Sequence, residues 1–188
     1  MLQRDIKDNL DEVVRLESFI DEDREFNLEK SCQWVSDLLS ELEEDLDDDE
    51  KSHENREMTV NLKIKRKEIP NFGEGLVIKG DFKGNFHLPC IKCLAPAAES
   101  AKGSFAAVYI SDQYEKSEEF EETLSVWADN SELEVYFHER GKCNVKKIIH
   151  ENIYLNINPY PLHKKDCKGL CGVCGSDLNH VDCGHAQQ

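Results

Sequence analysis

The sequence has no long hydrophobic run. Its longest clean apolar stretch, residues 105–110, has the length of a strand, whereas a membrane-spanning helix needs about 20 predominantly apolar residues. The first residues, MLQRDIKDNLDEVV, carry charges throughout and lack the apolar core of a secretory signal. These two absences argue against a membrane protein or a secreted protein. We therefore expect a soluble protein that stays in the cytoplasm and has no membrane partner.

The chain also lacks a surplus of basic residues, with a formal net charge of −16. Residues 1–57 hold 21 acidic and 7 basic side chains, a net of −14, and residues 58–188 hold 18 and 16, a net of −2. The net charge therefore does not favour nucleic-acid binding by the protein as a whole, because phosphate contacts need clustered Lys and Arg. The acidic first part is typical of a solvated arm, and also of a mimic of nucleic acid or a dock for a basic partner.

Neither an internal repeat nor a glycine-rich phosphate loop occurs, so the fold is predicted from hydrophobic periodicity. Residues 28–46 place Leu and Val at three- and four-residue steps, which predicts an amphipathic helix with Cys32 as a small buried hydrophobe. Residues 1–20 fit either a helix or a strand. The acidic run at 43–57 predicts a solvated linker. We divide the chain into an acidic arm with this helix, 1–57, and a domain, 58–188.

Strand patterns dominate the second part of the chain. Residues 58–66 alternate apolar and polar side chains, and residues 76–90 predict two strands joined by a turn near Gly80 and Gly84. Further strands are predicted at 103–110, 124–128 and 133–138, and a helix at 144–157 with Asn144 as its N-cap. The predicted class is α+β: a mostly antiparallel sheet or partial barrel with flanking helices and a zinc-binding C-terminal tail.

The chain has eight cysteines, and four of them form two C-x-x-C pairs, CIKC at 90–93 and CGVC at 171–174. A C-x-x-C turn holds two sulfurs on one side of a tight loop, as a zinc tetrahedron requires. The spacing C-x2-C-x8-C-x-H then predicts one local ligand set, made of Cys171, Cys174, Cys183 and His185.

The other C-x-x-C pair needs partners from elsewhere in the chain. The nearest candidates in the tail are His163 and Cys167, which would complete a set with Cys90 and Cys93 and pin the tail onto the sheet. Cys143 is expected to be a bystander before the predicted helix at 144–157; the alternative is that it replaces a ligand in one of the sites. One or two structural zinc ions follow from this count, and the sequence does not decide between the two numbers.

Two other uses of the cysteines stay open. A thioredoxin-type dithiol should open a helix after a strand, but CIKC is followed by a proline and no helical pattern. A disulfide scaffold is typical of secreted proteins, and this chain has no signal segment. Catalytic zinc would need an open coordination position, which sets of four thiolates and imidazoles do not leave.

The middle and the end of the chain resemble the YceD-like family, which occurs in bacteria and plastids. The residues that carry the resemblance are CIKCL at 90–94 and IHENIYLNINPYPLHKKDCKGLCGVCGSDLN at 149–179, and the similarity covers residues 58–185. The family motif C-x-R-C-L falls on Cys90, Cys93 and Leu94, with Lys92 in place of Arg, which keeps the charge but loses the planar fork. The terminal cysteine pair of the family falls on Cys183 and His185.

The resemblance implies a role in ribosome biogenesis, in the accumulation or processing of large-subunit (23S) ribosomal RNA. We expect this role to be non-enzymatic, because the four-ligand sets leave no open position for chemistry. The expected partner is pre-ribosomal large-subunit RNA or, for the acidic arm, a basic ribosomal protein, and no small-molecule substrate is expected. The candidate contacts are Lys92, within the first C-x-x-C pair, and four lysines near the last predicted helix and the tail: Lys146, Lys147, Lys164 and Lys165. The alternative function is a thiol-redox sensor whose cysteine clusters release zinc on oxidation.

Overall fold

The computed structural model describes residues 10–46, 56–123, 126–128 and 130–185, with only the backbone of Glu119. The strands are β1 (Val13–Arg15), β2 (Arg24–Glu29), β3 (Glu57–Ile69), β4 (Gly73–Pro89), β5 (Pro96–Ser111), β6 (Val126–Ala128), β7 (Ser131–His138) and β8 (Lys142–Asn144). The helices are α1 (Gln33–Leu42), α2 (Glu118–Glu121) and α3 (Val145–Asn156). None of the helices in these ranges has the length and apolar character needed to span a lipid bilayer.

Six strands form one curled sheet in the order β2-β3-β4-β5-β7-β6, and β1 and β8 form a separate two-stranded ribbon. All pairs are antiparallel except β5 with β7, which are parallel. The sheet coils into a half-barrel, so the predicted α+β class with a partial barrel and flanking helices is confirmed. Residues 124 and 125, the start of one predicted strand, lie outside the described residues.

The turn predicted near Gly80 and Gly84 is wrong, because both glycines lie inside the single long strand β4. A Cβ at Gly80 would come within 2.6 Å of the Asn61 carbonyl oxygen, and one at Gly84 within 2.7 Å of the Met58 side chain. These glycines therefore mark close approach of neighbouring groups in a coiled sheet rather than a reversal of the chain. The reversal lies earlier, between β3 and β4, where Asn71 has a φ of 71°.

The hydrophobic core lies between one face of the sheet and the helices α1 and α3. Asn144 caps α3 as predicted, because its side-chain oxygen accepts a hydrogen bond from the Lys147 amide at 2.9 Å. Helix α1 is shorter than predicted: Leu28 lies in β2, and Cys32 is the buried residue before the helix. At the end of the sheet that holds the β3–β4 turn, a smaller core forms on the opposite face, around Phe72, Val108 and Ile110.

Residues 10–46 are built into the same core as the strands that follow residue 57. Strand β2 pairs with β3 over its whole length, and the Trp34 indole donates to the Leu10 carbonyl oxygen at 2.6 Å. The linker prediction for 43–57 is wrong at both described ends, because Glu43 is fully buried and forms an ion pair with Arg56 at 2.9 Å. Its central part, 47–55, lies outside the described residues.

An open groove of about 920 Å³ crosses the face of β2, β3, β4 and β5 that the helices leave uncovered. A row of polar side chains follows it from strand to strand. Asn27 donates to Asn61 at 2.6 Å, and Asn61 donates to Asp81 at 2.9 Å. The cysteine-rich tail does not line this groove.

Candidate metal centre

Two groups of four cysteine and histidine side chains converge near the C-terminal end of the chain. The first group consists of Cys90, Cys93, His163 and Cys167, and the second of Cys171, Cys174, Cys183 and His185. Within each group, the candidate ligand atoms all lie within 4.8 Å of one another. The structure thus assembles the same two sets that the spacing predicts, and metal binding by them stays a prediction.

Both C-x-x-C pairs are held in the same kind of turn. The Leu94 amide donates to the Cys90 carbonyl oxygen at 2.9 Å, and the Gly175 amide donates to the Cys171 carbonyl oxygen at 2.8 Å. The residue after the second cysteine has a positive φ in each turn, 67° at Leu94 and 74° at Gly175. This backbone reversal turns both thiols of a pair to one side of the loop.

The first group links the turn between β4 and β5 to the tail. Cys90 Sγ lies 3.8 Å from Cys167 Sγ, and Cys93 Sγ lies 3.1 Å from His163 Nδ1. A tetrahedral ion with Zn–S bonds of about 2.3 Å has S–S edges of about 3.8 Å, so the donor set fits one such ion. The three cysteines are buried and pack with Ala97, next to the half-buried Ala95 and Leu162.

The thiols of the first group cannot all ionise without a cation beside them. Burial opposes ionisation of Cys90, but hydrogen bonds from the His163 side chain and from backbone amides outweigh it and lower the pKa of that thiol to about 6. Burial and the neighbouring sulfurs of Cys167 and Cys90 raise the pKa of Cys93 to about 12. A divalent ion would supply the missing positive charge, which is the chemistry of a thiolate-rich metal site.

The second group is local to the tail and more open. Cys171 Sγ lies 3.7 Å from His185 Nδ1, while Cys174 and His185 are exposed. Ser176 Oγ lies 3.2 Å from Cys174 Sγ, and hydrogen bonding by Ser176 lowers the pKa of the Cys174 thiol to about 6. Sequence reasoning missed Ser176, although its place two residues after Cys174 is a usable signal.

Hydrogen bonds tie the first turn to the tail, and one of them joins the loop of the second group to a candidate ligand of the first. The Leu170 amide donates to the Lys92 carbonyl oxygen at 2.9 Å, and Lys92 Nζ donates to the Cys167 carbonyl oxygen at 3.3 Å. Asn179 lies between Cys174 and Cys183 in sequence, yet its side-chain amide donates to Cys167 Sγ of the first group at 3.5 Å. No spacing rule points to Asn179, because its role depends on how the second loop packs on the first.

We predict that Asn179→Ala weakens metal binding by the first group about 10- to 100-fold, the usual effect of losing a hydrogen bond to a ligand. The N–H···S bond stabilises the Cys167 thiolate, so its loss makes proton competition for that sulfur stronger. Competition with a chromophoric zinc chelator measures the change. His180→Ala is the matched control, because His180 lies in the same loop and contacts Asp177 rather than a thiol. Equal zinc affinities in the two variants would refute the role of Asn179.

The five candidate contact lysines do not form one patch. Lys146 is mostly buried and forms an ion pair with Glu41 at 2.6 Å, and Lys147 lies over the Tyr136 ring and 3.8 Å from Glu151. Both are at the start of α3, whose 12 residues extend about 18 Å. Lys164 and Lys165 follow the helix and are exposed in the tail. Lys92 is tied to the Cys167 carbonyl oxygen.

Cys32 and Cys143 lie outside both groups and are buried. Burial raises the pKa of Cys143 to about 12, and the nearby Glu17 carboxylate adds to the shift. The expectation that Cys143 is a bystander stays a prediction, and its position outside both groups is what supports it.

The fold and the two groups define a protein with a curled, mostly antiparallel sheet and a C-terminal tail of candidate metal ligands. The family profile described as "Large ribosomal RNA subunit accumulation protein YceD" matches residues 78–188, more than half of the chain. The chain therefore belongs to the YceD family. No curated protein and no solved structure matches it.

Proposed function

We propose that this protein is a non-enzymatic, zinc-binding factor that supports the accumulation or processing of large-subunit (23S) ribosomal RNA in the cytoplasm. Membership of the YceD family carries the proposal, because the family description names accumulation of the large ribosomal RNA subunit. The two four-residue groups support a structural metal role, and their ligand sets leave no position for a substrate.

Zinc is the ion that the donor chemistry favours. Each group offers three thiol sulfurs and one imidazole nitrogen, a combination typical of structural zinc sites. The first group would hold its ion in a buried position between the sheet and the tail, and the second would fold residues 171–185 into a compact loop. When bound, the ions neutralise the thiolates and fix the loops; they supply no reaction chemistry.

The proposed partner is the pre-ribosomal large-subunit particle, through its RNA or a basic ribosomal protein. Lys164 and Lys165 are exposed next to the ligand His163, where the first group fixes the tail on the domain. Residues 1–57 carry a net charge of −14, which suits a contact with a basic protein. No small-molecule substrate is part of the proposal.

Deletion of the gene tests the proposed function. We expect the ratio of large- to small-subunit ribosomal RNA to fall, and wild-type protein to restore it. Cys90→Ser with Cys93→Ser should not restore it, because the tail loses its attachment to the sheet. Cys143→Ser is the matched control, because Cys143 lies outside both groups. Ribosomal RNA levels that stay unchanged after deletion would contradict the proposal.

The second candidate function is a thiol-redox sensor, and the exposure of Cys174 favours it. Oxidation of two thiolates of the second group to a disulfide would reduce peroxide to water and release the ion. The buried first group would keep its ion under the same treatment. Release of one zinc ion per chain by mild peroxide, reversed by a thiol reductant, would support the sensor. Retention of both ions would contradict the sensor function and favour a purely structural role for the metal.

A further inference from the structure

Large exposed hydrophobic side chains are concentrated beside the two ligand groups. Among the described residues, 11 such side chains are exposed. Six of them lie in the short segments around the ligands: Ile91, Leu94, Tyr160, Leu170, Val173 and Val181. Scattered exposed apolar residues are normal, but a concentration on one small module indicates a contact surface.

Leu94 is displayed in an unfavourable backbone conformation. Its φ of 67° lies in the left-handed region, which is costly for a residue with a Cβ. The equivalent residue of the second turn is Gly175, which adopts a φ of 74° freely. The Leu94 side chain is 60% exposed, so packing within the described chain does not explain the choice of leucine. A contact with another molecule would explain why a leucine occupies this position.

Ile91 and Tyr160 extend this surface. The Ile91 amide donates to the Pro161 carbonyl oxygen at 3.0 Å, which brings the first turn against the segment that carries Tyr160. Ile91 is 52% exposed and Tyr160 is 70% exposed. The ligand contact between Cys93 and His163 holds Leu94 near the same segment. An aromatic ring and two aliphatic side chains are therefore fixed beside the first group.

The charge around this surface is positive, in contrast to the whole chain. Residues 160–168 contain three lysines, Lys164, Lys165 and Lys168, and one acid, Asp166, so their net charge is +2 while the chain carries −16. The three lysines are exposed, and no acidic side chain in the described part of the chain forms an ion pair with them. Unneutralised cations beside an exposed aromatic ring fit a phosphate backbone with unpaired bases.

We propose that Leu94, Ile91 and Tyr160, with Lys164 and Lys165, form a surface that binds a single-stranded segment of RNA. The Tyr160 ring stacks on a base, Leu94 and Ile91 pack against the edges of the bases, and the lysines contact phosphates. The inference rests on the proposed function, which supplies an RNA-containing particle as partner. It assigns that contact to the first turn and the tail rather than to α3, where Lys146 is already paired with Glu41.

The test uses the purified full-length protein with its metal, a fluorescein-labelled single-stranded oligoribonucleotide, and an unlabelled duplex RNA as competitor. Fluorescence anisotropy should show binding that the duplex competes for poorly. Tyr160→Ala should weaken it about tenfold, the loss of one base stack. Lys164→Ala with Lys165→Ala should reduce the slope of log K against log salt by about 1.4, because each single-strand phosphate contact contributes about 0.7.

Leu94→Gly separates binding from folding. It should weaken RNA binding severalfold while the melting temperature stays the same or rises, because glycine relieves the left-handed conformation. Ile20→Ala and Lys116→Ala are the controls. Both residues are exposed and lie near the end of the sheet that holds the β3–β4 turn, away from Cys90. All variants are compared at equal metal content.

Equal RNA affinities for wild type, Tyr160→Ala and Leu94→Gly would overturn the inference, as would failure of the wild type to bind the oligoribonucleotide. If the wild type binds no RNA but Tyr160→Ala detaches it from pre-ribosomal particles, the surface contacts protein and the RNA assignment is overturned. Each of these results leaves the proposed function standing, because that function is tested separately by ribosomal RNA levels after deletion.

Discussion

Replacing Cys90 and Cys93 by serine is expected to remove one metal ion per chain and to lower the free energy of unfolding by about 4 kcal/mol. A metal ion bound by Cys90 and Cys167 would join residues 77 positions apart, and cross-linking a loop of that length removes about this much chain entropy from the unfolded state. We expect the free energy of unfolding to fall measurably, because these thiols are buried between the sheet and the tail.

The matched control is the pair Cys174→Ser and Cys183→Ser. Their group lies wholly within residues 171–185 and is more exposed, so its loss unfolds the tail loop without opening the core. We expect this variant also to lose one ion, but to change the main unfolding transition by less than about 1 kcal/mol. Denaturant unfolding followed by tryptophan fluorescence, with elemental analysis, measures both effects. Equal destabilisation of the two variants would contradict the assigned roles.

Replacing Glu43 by alanine is expected to destabilise the protein by about 3–5 kcal/mol, the usual effect of removing one partner of a buried ion pair. The Glu43 side chain is fully buried and that of Arg56 is 11% exposed. Glu43 also accepts a hydrogen bond from the His87 amide at 3.0 Å, so it ties the end of α1 to both β3 and β4. Alanine would leave the Arg56 guanidinium buried without a counter-charge.

Glu25→Ala is the control for this second prediction. Glu25 and Lys63 form an ion pair at 2.7 Å, but both side chains are well exposed, so the pair should contribute at most about 1 kcal/mol. Thermal or denaturant unfolding of the two variants compares a buried and an exposed pair in one protein. A loss below about 1 kcal/mol in Glu43→Ala would contradict the stabilising role assigned to the buried pair of Glu43 and Arg56.

The ligand sets could be predicted from sequence because they depend on local spacing. C-x-x-C and C-x-H motifs bring their own atoms together, and only the pairing of Cys90 and Cys93 with His163 and Cys167 required a guess about the tail. The structure places all these residues in two groups, and their use as metal ligands stays a prediction.

The features that could not be predicted from the sequence depend on contacts between elements that are distant in the chain. Gly80 indicates a turn when β4 is considered alone, and only the approach of Asn61 and Phe105 explains it as a strand residue. Glu43 belongs to an acidic run that is typical of a solvent-exposed segment. Its burial depends on the ion pair with Arg56, 13 positions later. Leu94 belongs to the predicted motif, but its left-handed backbone is visible only in three dimensions.

The central claim is that bound zinc holds the C-terminal tail on the sheet. Its most direct test is the metal content of wild-type protein purified without a histidine tag, combined with a count of reactive thiols. We predict two zinc ions per chain and almost no thiol reactive without denaturant, because the six cysteines of the two groups would then be ligands and Cys32 and Cys143 are buried. Chelation should then make the six ligand thiols reactive. A metal-free chain whose ligand cysteines are already reactive, or oxidised to disulfides, would contradict the account.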